Sequence, residues 1–240
     1  MQLHDEVAQG LRAIARIERR AAEIRTGATG GVSIATNGAL AVNFLPRLIA
    51  GFRGDNSGVG VELRVHSSRQ IAAWVAAGQI DIGLIDTPVP VAGLSTEIFR
   101  LECVCVMQAK DPLAAEPVVT PAHLRDRSII GVTGDHAVDR QLETHLSKTG
   151  APVKRDVTSY FFAIGRNIVA EGGGVAIIDP VNGKADLGDG VVWRRFEPRI
   201  DHEAAMITAR GQILSDAAKA VRQLVRDGLK AVGAETTGVE

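Results

Sequence analysis

The stretch Gly31 to Phe52, GVSIATNGALAVNFLPRLIAGF, decides how the rest of the chain is read. Val32, Ile34 and Ala35 form a short apolar strand, and Thr36, Asn37 and Gly38 a polar turn. Leu40, Phe44, Leu45, Leu48 and Phe52 then recur at helical spacing. Strand, turn and amphipathic helix in this order predict a βα unit. Such a turn aims the free N–H groups of a helix N-terminus at the strand's carboxyl end. Open α/β sheets bind ligands there, and the helix end favours an anionic group. An ordinary βα turn with a polar N-cap reads the same way locally, so the neighbouring segments must decide.

Toward the C-terminus the rhythm repeats. Val59 to Val65 reads as a second strand. Ser67 and Gln70 fit a capping box ahead of a helix carrying Ile71, Trp74 and Val75 that stops at Gly78. Asp81 to Ile85 is a third strand, ending in Asp86-Thr87-Pro88. Short connections between alternating strands and helices predict a parallel sheet. Leu94 to Met107 is then a long β-prone run with no helix before it, expected to cross from one sheet to another. Ser128 to Val132 opens a second α/β series. Thr133-Gly134-Asp135-His136 is its turn, and Val138, Leu142 and Leu146 mark its helix, closed by Gly150 and Pro152. Val153 to Val157 is a strand, with Thr158-Ser159 capping a helix from about Tyr160 to Ala170. Val175 to Ile178 is a strand ending in Asp179-Pro180. Val191 to Arg195 and Ala204 to Ala209 are later strands, and Ser215 caps a last helix with Val221, Leu224, Val225 and Leu229 on one face. The sum is two similar α/β units joined by a crossing strand, the C-terminus returning to complete the first.

Residues 1 to 26 differ from the rest. Leu3, Val7, Gly10, Ile14, Ile17, Ala21 and Ile24 are spaced as a heptad seam flanked by Arg12, Arg16, Glu18, Arg19, Arg20, Glu23 and Arg25. A narrow apolar stripe with charged flanks suits helix–helix pairing, so Val7, Ile14, Ile17 and Ile24 are candidate oligomerisation positions. A surface helix packed on its own domain is the competing reading. Thr26-Gly27-Ala28-Thr29-Gly30-Gly31 reads as a flexible linker.

Composition narrows the classes. The 240 residues are 45% hydrophobic and 23% charged, enough for real cores. A net charge of −1 argues against a nucleic-acid-binding surface over the whole chain. No apolar run is long enough to span a bilayer, and the charged N-terminus has no signal-peptide core, which points to a cytoplasmic protein without a membrane partner. Cys103 and Cys105, two apart, are badly placed to bond each other and read as buried free thiols.

Catalytic and metal signatures are weak. Glu171-Gly172-Gly173-Gly174 lacks the Lys-Ser/Thr ending of a phosphate loop and precedes a strand, so it reads as a helix C-cap. His4, His66, His123, His136, His145 and His202 show no metal-ligand spacing, and no cofactor or metal is expected. Ser67 and Ser68 lie near His66 but outside any Gly-x-Ser-x-Gly elbow, and capping explains them. Asp86 and Asp179 each follow a buried strand and approach a proline. Each either faces a ligand or serves the turn.

Several motifs in order carry a resemblance. They are Phe44-Leu45-Pro46-x-Leu48-Ile49-x-x-Phe52, then Val61-x-Leu63-x-Val65-x-Ser67-Ser68, then Ala77-Gly78-Gln79-Ile80-Asp81-Ile82-Gly83-Leu84. Val104-Cys105-Val106-Met107, Asp111-Pro112-Leu113-Ala114 and Thr120-Pro121-x-x-Leu124 follow, and Val169-Ala170-Glu171-Gly172-x-Gly174-Val175-Ala176-Ile177-Ile178 closes the set. Over residues 31 to about 230 the chain resembles the effector-binding domain of LysR-type transcriptional regulators, and its N-terminal heptad resembles that family's linker helix. The Asp-Pro after the late strand resembles the branch that senses lysine-related amino acids and opines.

The resemblance implies a periplasmic-binding-protein-like (type II) α/β fold of two Rossmann-like lobes after a linker helix. Residues 1–26 would be the linker, 30–105 with 206–240 lobe one, and 106–205 lobe two. It implies an effector cleft lined by Thr36, Asn37, Gly38, Ser67, Ser68, Asp86 and Thr87 from lobe one, with Thr133, Gly134, Ser159 and Asp179 from lobe two. The expected partners are a small carboxylate, amino-acid or opine effector and a second copy of the chain, as dimer or tetramer. The family's DNA-binding domain is expected ahead of the linker helix, and Met1 falls inside that helix, so DNA contact is assigned to the parent regulator. Two rivals remain. A solute-binding protein of the same fold would carry a signal peptide. A small transferase or hydrolase would need a convergent nucleophile–base pair or metal set.

Overall fold

The computed structural model describes Gly10, Ile14 and residues 31–133, 136–148 and 154–239. Gly10 and Ile14 are helical, and Ile14 is 54% exposed. Val7, Ile17, Ile24 and Gly134 lie outside the described residues, as do Gly150 and Pro152.

The chain divides into two compact units, with Phe99/Arg100 and His202/Glu203 as the main crossing points. The first contains β1 (Gly31–Thr36), α1 (Gly38–Ala41), α2 (Phe44–Asp55), β2 (Gly60–Val65), α3 (Ser68–Ala76) and β3 (Ile82–Asp86). β4 (Leu94–Glu102) leads out of it. The second holds β5 (Val104–Gln108), β6 (Val118–Val119), β7 (Ser128–Val132), α4 (Ala137–Ser147), β8 (Lys154–Ser159), α5 (Phe162–Ala170), β9 (Val175–Ile178), α6 (Pro180–Gly183) and β10 (Val191–Phe196). β11 (Asp201–Ala209) leads back to the first unit and α7 (Asp216–Ala231), and β12 (Glu235–Val239) ends the described chain. Among the described residues no helix is long and apolar enough to cross a membrane.

The two six-stranded sheets run β12-β4-β11-β3-β1-β2 and β6-β10-β5-β9-β7-β8. Each contains a parallel triplet of one pattern: β3-β1-β2 in the first, β9-β7-β8 in the second. An antiparallel strand closes each triplet, β11 against β3 and β5 against β9. The run read as one strand from Leu94 to Met107 is two strands in two sheets, interrupted at Cys103, whose N–H turns to the Ile200 carbonyl at 2.9 Å.

The segment after β1 departs from expectation. A single helix was expected, and two form, with the break at Val42-Asn43. Pro46 is the reason. In a continuous helix its ring would strike the Val42 carbonyl four residues back. It sits instead in the first turn of α2, where no N–H is needed. Leu40, Leu45 and Phe52 are still buried, while Phe44 and Leu48 pack against Gly228 of α7, where an added Cβ would lie 3.0 Å from the Phe44 ring. On the other side of the first unit, Ile71, Ala72 and Val75 of α3 join Ala35, Ile80, Ile85 and Ile207 in one core. Gly83 permits that approach: a Cβ there would lie 2.7 Å from Ile207 Cγ1 and 2.9 Å from Ile71 Cγ2.

The glycines at 172–174 form the expected C-cap. Gly172 and Gly174 take φ of +85° and +131°, turning α5 into β9. At Gly174 a Cβ would meet the Ser128 carbonyl oxygen at 2.3 Å. Cys103 and Cys105 are buried free thiols. Three elements were not anticipated: β6, an edge strand beside β10, α6, capped by Asp179, and β12, which adds an edge strand beside β4.

Candidate functional site

In the first unit the carboxyl ends of β1, β2 and β3 are tied together by main-chain bonds. Thr36 pairs with Val65 and Leu84 in register, His66 N–H donates to the Thr36 carbonyl at 3.1 Å, and Asn37 N–H to the Leu84 carbonyl at 3.2 Å. The residues expected to bind ligand from this unit therefore meet at one edge. Thr36 ends the strand and does not lie in the turn. It is fully buried, and its hydroxyl has no hydrogen-bond partner among the described residues. Asn37 caps α1, its Oδ1 accepting from Ala39 N–H at 3.3 Å, and Gly38 is the first helical residue, buried. Ser67 Oγ accepts from Gln70 N–H at 3.4 Å, half of the expected capping box. Ser67 N–H donates not to Gln70 but to His66 Nδ1, at 2.9 Å. Ser68 Oγ accepts from the Asp86 N–H at 3.2 Å, linking the α3 start to the end of β3. Thr87 donates its hydroxyl to Glu203 at 3.4 Å. Glu203 belongs to this edge and escaped the sequence reading because β11 reaches it from far along the chain.

The second unit has the same edge with different chemistry. Thr133 N–H donates to the Ser159 carbonyl at 2.8 Å, and the Thr133 side chain is exposed. Ser159 is buried and ends β8. Its hydroxyl donates to the Phe161 carbonyl at 3.1 Å, so it does not cap the helix, as had been expected. The α5 N-cap is Phe161, with no side-chain cap bond. Asp179 is fully buried, accepting from Asn182 N–H at 3.0 Å and from Asn182 Nδ2 at 2.8 Å as the cap of α6. Burial pushes its carboxyl above the usual range, partly offset by the nearby His202 and the Asn182 bonds. Of the two readings of Asp179, the turn reading accounts for both its oxygens. His136 does the capping for α4: its Nδ1 accepts from Val138 N–H at 3.3 Å.

His136, Phe162 and His202 form a ring cluster in this unit. Centroids are 5.1 Å apart for His136–Phe162, 5.2 Å for Phe162–His202 and 5.8 Å for the two histidines. The cluster was not legible in advance, since its members lie far apart in sequence. Cys103, Asp179 and His202 are also neighbours, with residue types that a nucleophilic enzyme would use. Burial foremost, with the Asp179, Asp201 and Glu102 charges, raises the Cys103 thiol well above its ordinary range. A sulfur so buried and so firmly protonated is an inert core atom.

Two α/β units, each with a polar edge at the carboxyl ends of three parallel strands, define a small-molecule-binding module of the doubly wound kind. The family model described as the LysR substrate binding domain matches residues 25–230, and the chain belongs to that family. It is 25% identical over 208 residues to the transcriptional activator protein LysR of Escherichia coli (strain K12), covering 86% of this chain and 67% of that protein. It is 28% identical over 199 residues to the octopine catabolism/uptake operon regulatory protein OccR of Rhizobium meliloti, covering 83% of this chain and 66% of that one. The fold is shared with the regulatory domain of Synechocystis CcmR, solved in complex with 2-PG. That match has a TM-score of 0.65 at 16% identity, over 84% of this chain and 98% of that one. The chain is thus an effector-binding domain of the LysR type with the two-lobe periplasmic-binding-protein-like fold, from a family of transcriptional regulators and not of enzymes.

Proposed function

We propose that this domain senses a small carboxylate of the amino-acid or opine class at the carboxyl edge of β1, β2 and β3. The observation that carries the reading is the Thr36 hydroxyl, buried and unmatched by any described residue. A buried orphan hydroxyl costs about 1–3 kcal/mol, a cost that a ligand bond at this edge would offset. Around it, Ser68 keeps its own hydroxyl hydrogen while accepting from Asp86, and the α3 N-terminus adds a positive dipole. Asp86 and Thr87 stand at the end of β3 to meet an ammonium. Asn37, Gly38 and Ser67 shape the backbone around them, and Thr133 is the side chain of the second unit that stays exposed. The similarity to a regulator named for octopine catabolism supports the ligand class. In the whole regulator, occupancy would be passed to DNA through its DNA-binding domain, with pairing through the heptad positions Val7, Ile14, Ile17 and Ile24.

Calorimetry against octopine, arginine, lysine and aromatic acids tests this. Thr36→Val keeps the shape and removes the hydroxyl. It should lower affinity for the binding compound by about 5- to 150-fold, matching 1–3 kcal/mol, with the melting temperature unchanged or higher. An effector that is neutral and apolar, or an affinity indifferent to Thr36→Val, overturns the reading. Light scattering on Ile14→Glu/Ile17→Glu should show weaker self-association than the unmodified chain.

A further inference from the structure

We propose that the second unit carries a divalent transition-metal site in which His136 and His202 are the protein ligands. The inference goes beyond the effector reading and does not depend on it. The ligand atoms of the two imidazoles lie within 4.8 Å of each other. Two nitrogens bound to one zinc at about 2.1 Å stand roughly 3.4 Å apart in a tetrahedral site, so a modest side-chain rotation closes the gap. The rings are already held in place. Phe162 sits edge-on to both, at 5.1 and 5.2 Å, and the imidazole planes are inclined by 36°.

Charge favours a cation over an anionic ligand here. The His202 charge acts on Asp179 in the opposite sense to burial, and Asp179, Asp201 and Glu102 all act on the adjacent Cys103 as negative charges. A divalent ion between two imidazoles offsets that negative field, and an anion would add to it. The ligand type suits zinc, nickel or copper, with the remaining positions left to water or a small chelating molecule.

The same geometry supplies a readout. His136 Nδ1 accepts the Val138 N–H, so in the neutral ring the proton sits on Nε2. Coordination through Nε2 returns the proton to Nδ1, and coordination through Nδ1 occupies it directly. Either way the Val138 N–H loses its acceptor, and the first turn of α4 loosens.

The test is titration of Zn²⁺ into the chelator-treated full chain by calorimetry, with amide exchange followed at Val138. Saturable binding of one equivalent with faster Val138 exchange is expected. His136→Asn keeps an N-cap acceptor on α4 and should weaken binding by at least about tenfold, with His123→Asn leaving it unchanged. His202→Asn should do the same as His136→Asn. Its side chain is buried, so the partly exposed His136 keeps the test decisive if that variant misfolds. Absence of saturable binding, or an affinity the same in His136→Asn as in the unmodified chain, overturns the proposal.

Discussion

The two parallel triplets, β3-β1-β2 and β9-β7-β8, share a topology and diverge in what stands at their carboxyl edges. The first edge is built from short hydroxyl and amide side chains: Thr36, Asn37, Ser67 and Ser68. The second adds rings and two buried acids to Thr133 and Ser159: His136, Phe161, Phe162 and His202, with Asp139 and Asp179. Where the first unit caps α3 with a serine, the second starts α5 at Phe161 with no side-chain cap. One sheet pattern therefore presents two chemistries, because the pattern constrains the apolar strand residues and leaves the residues just past each strand end free. Ion pairs differ as well. The first unit holds Arg226 to Glu97 at 2.6–2.7 Å with both side chains partly accessible. The second buries Arg166 almost completely, against Asp189 and the Ala185 carbonyl.

The largest expected effect separates those two pairs. Asp189→Asn leaves the Arg166 charge buried without its counter-ion and should cost about 3–5 kcal/mol. Glu97→Gln should cost less, about 1.5–3 kcal/mol, because Arg226 can still reach water. Equal losses in urea unfolding would erase the distinction. Two acids of the second unit, Asp189 and Asp179, also predict opposite responses to pH. Hydrogen bonding to Arg166 holds the Asp189 carboxyl below its usual range, so its stabilisation is present above the unfolded value and lost as pH falls through the folded one. Asp179 is raised by burial, so its contribution is full below the unfolded value and lost as pH rises through the folded one. Asp189→Asn should flatten the acid side of the stability profile, and Asp179→Asn the part above it. Profiles unchanged in shape would remove both assignments.

Next in size is packing. Gly83→Ala places a methyl 2.7 Å from Ile207 Cγ1 and should destabilise the first unit by about 1–3 kcal/mol. The second unit should keep its own unfolding midpoint, and a shift of both together would show that the units unfold as one. Smaller still, Ser67→Ala removes the α3 cap at a cost of about 1 kcal/mol, read as faster amide exchange at Gln70. If exchange there does not change, the long 3.4 Å bond contributes nothing. The smallest effect on stability is that of Thr36→Val. It should be neutral or slightly stabilising even as it costs ligand affinity, and a clear loss of stability would mean the hydroxyl has a partner in the folded chain.

Much of the fold could be read from local pattern. Buried runs such as Val32–Ala35, apolar but for Ser33, and Val175–Ile178 are strands because short, mostly apolar runs between polar turns fit a sheet covered on both faces. The caps at Ser67 and Ser215 were legible because a serine oxygen three residues ahead of an amide is a local geometry. Ser215 Oγ does accept the Ala218 N–H, at 3.1 Å. The break in the first helix was also legible in principle, since Pro46 has no N–H for the Val42 carbonyl and crowds it, but helical spacing of the apolar residues masked it. Ser159 misled because a serine before a helix is a cap only if its backbone has already left the strand, and here β8 keeps it.

What the sequence determined alone, then, is most of the elements and the apolar faces they bury, because these depend on spacings within some twenty residues, and the family, because several short motifs keep their order along the chain. Tertiary structure decided which polar groups meet. Thr36 ends buried with no described partner for its hydroxyl, and Glu203 arrives beside Thr87 on a strand 116 residues further along. His136 and His202 become neighbours for the same reason. Strand pairing brings distant residues within a few ångströms, and no local periodicity encodes which side chains that pairing will set face to face.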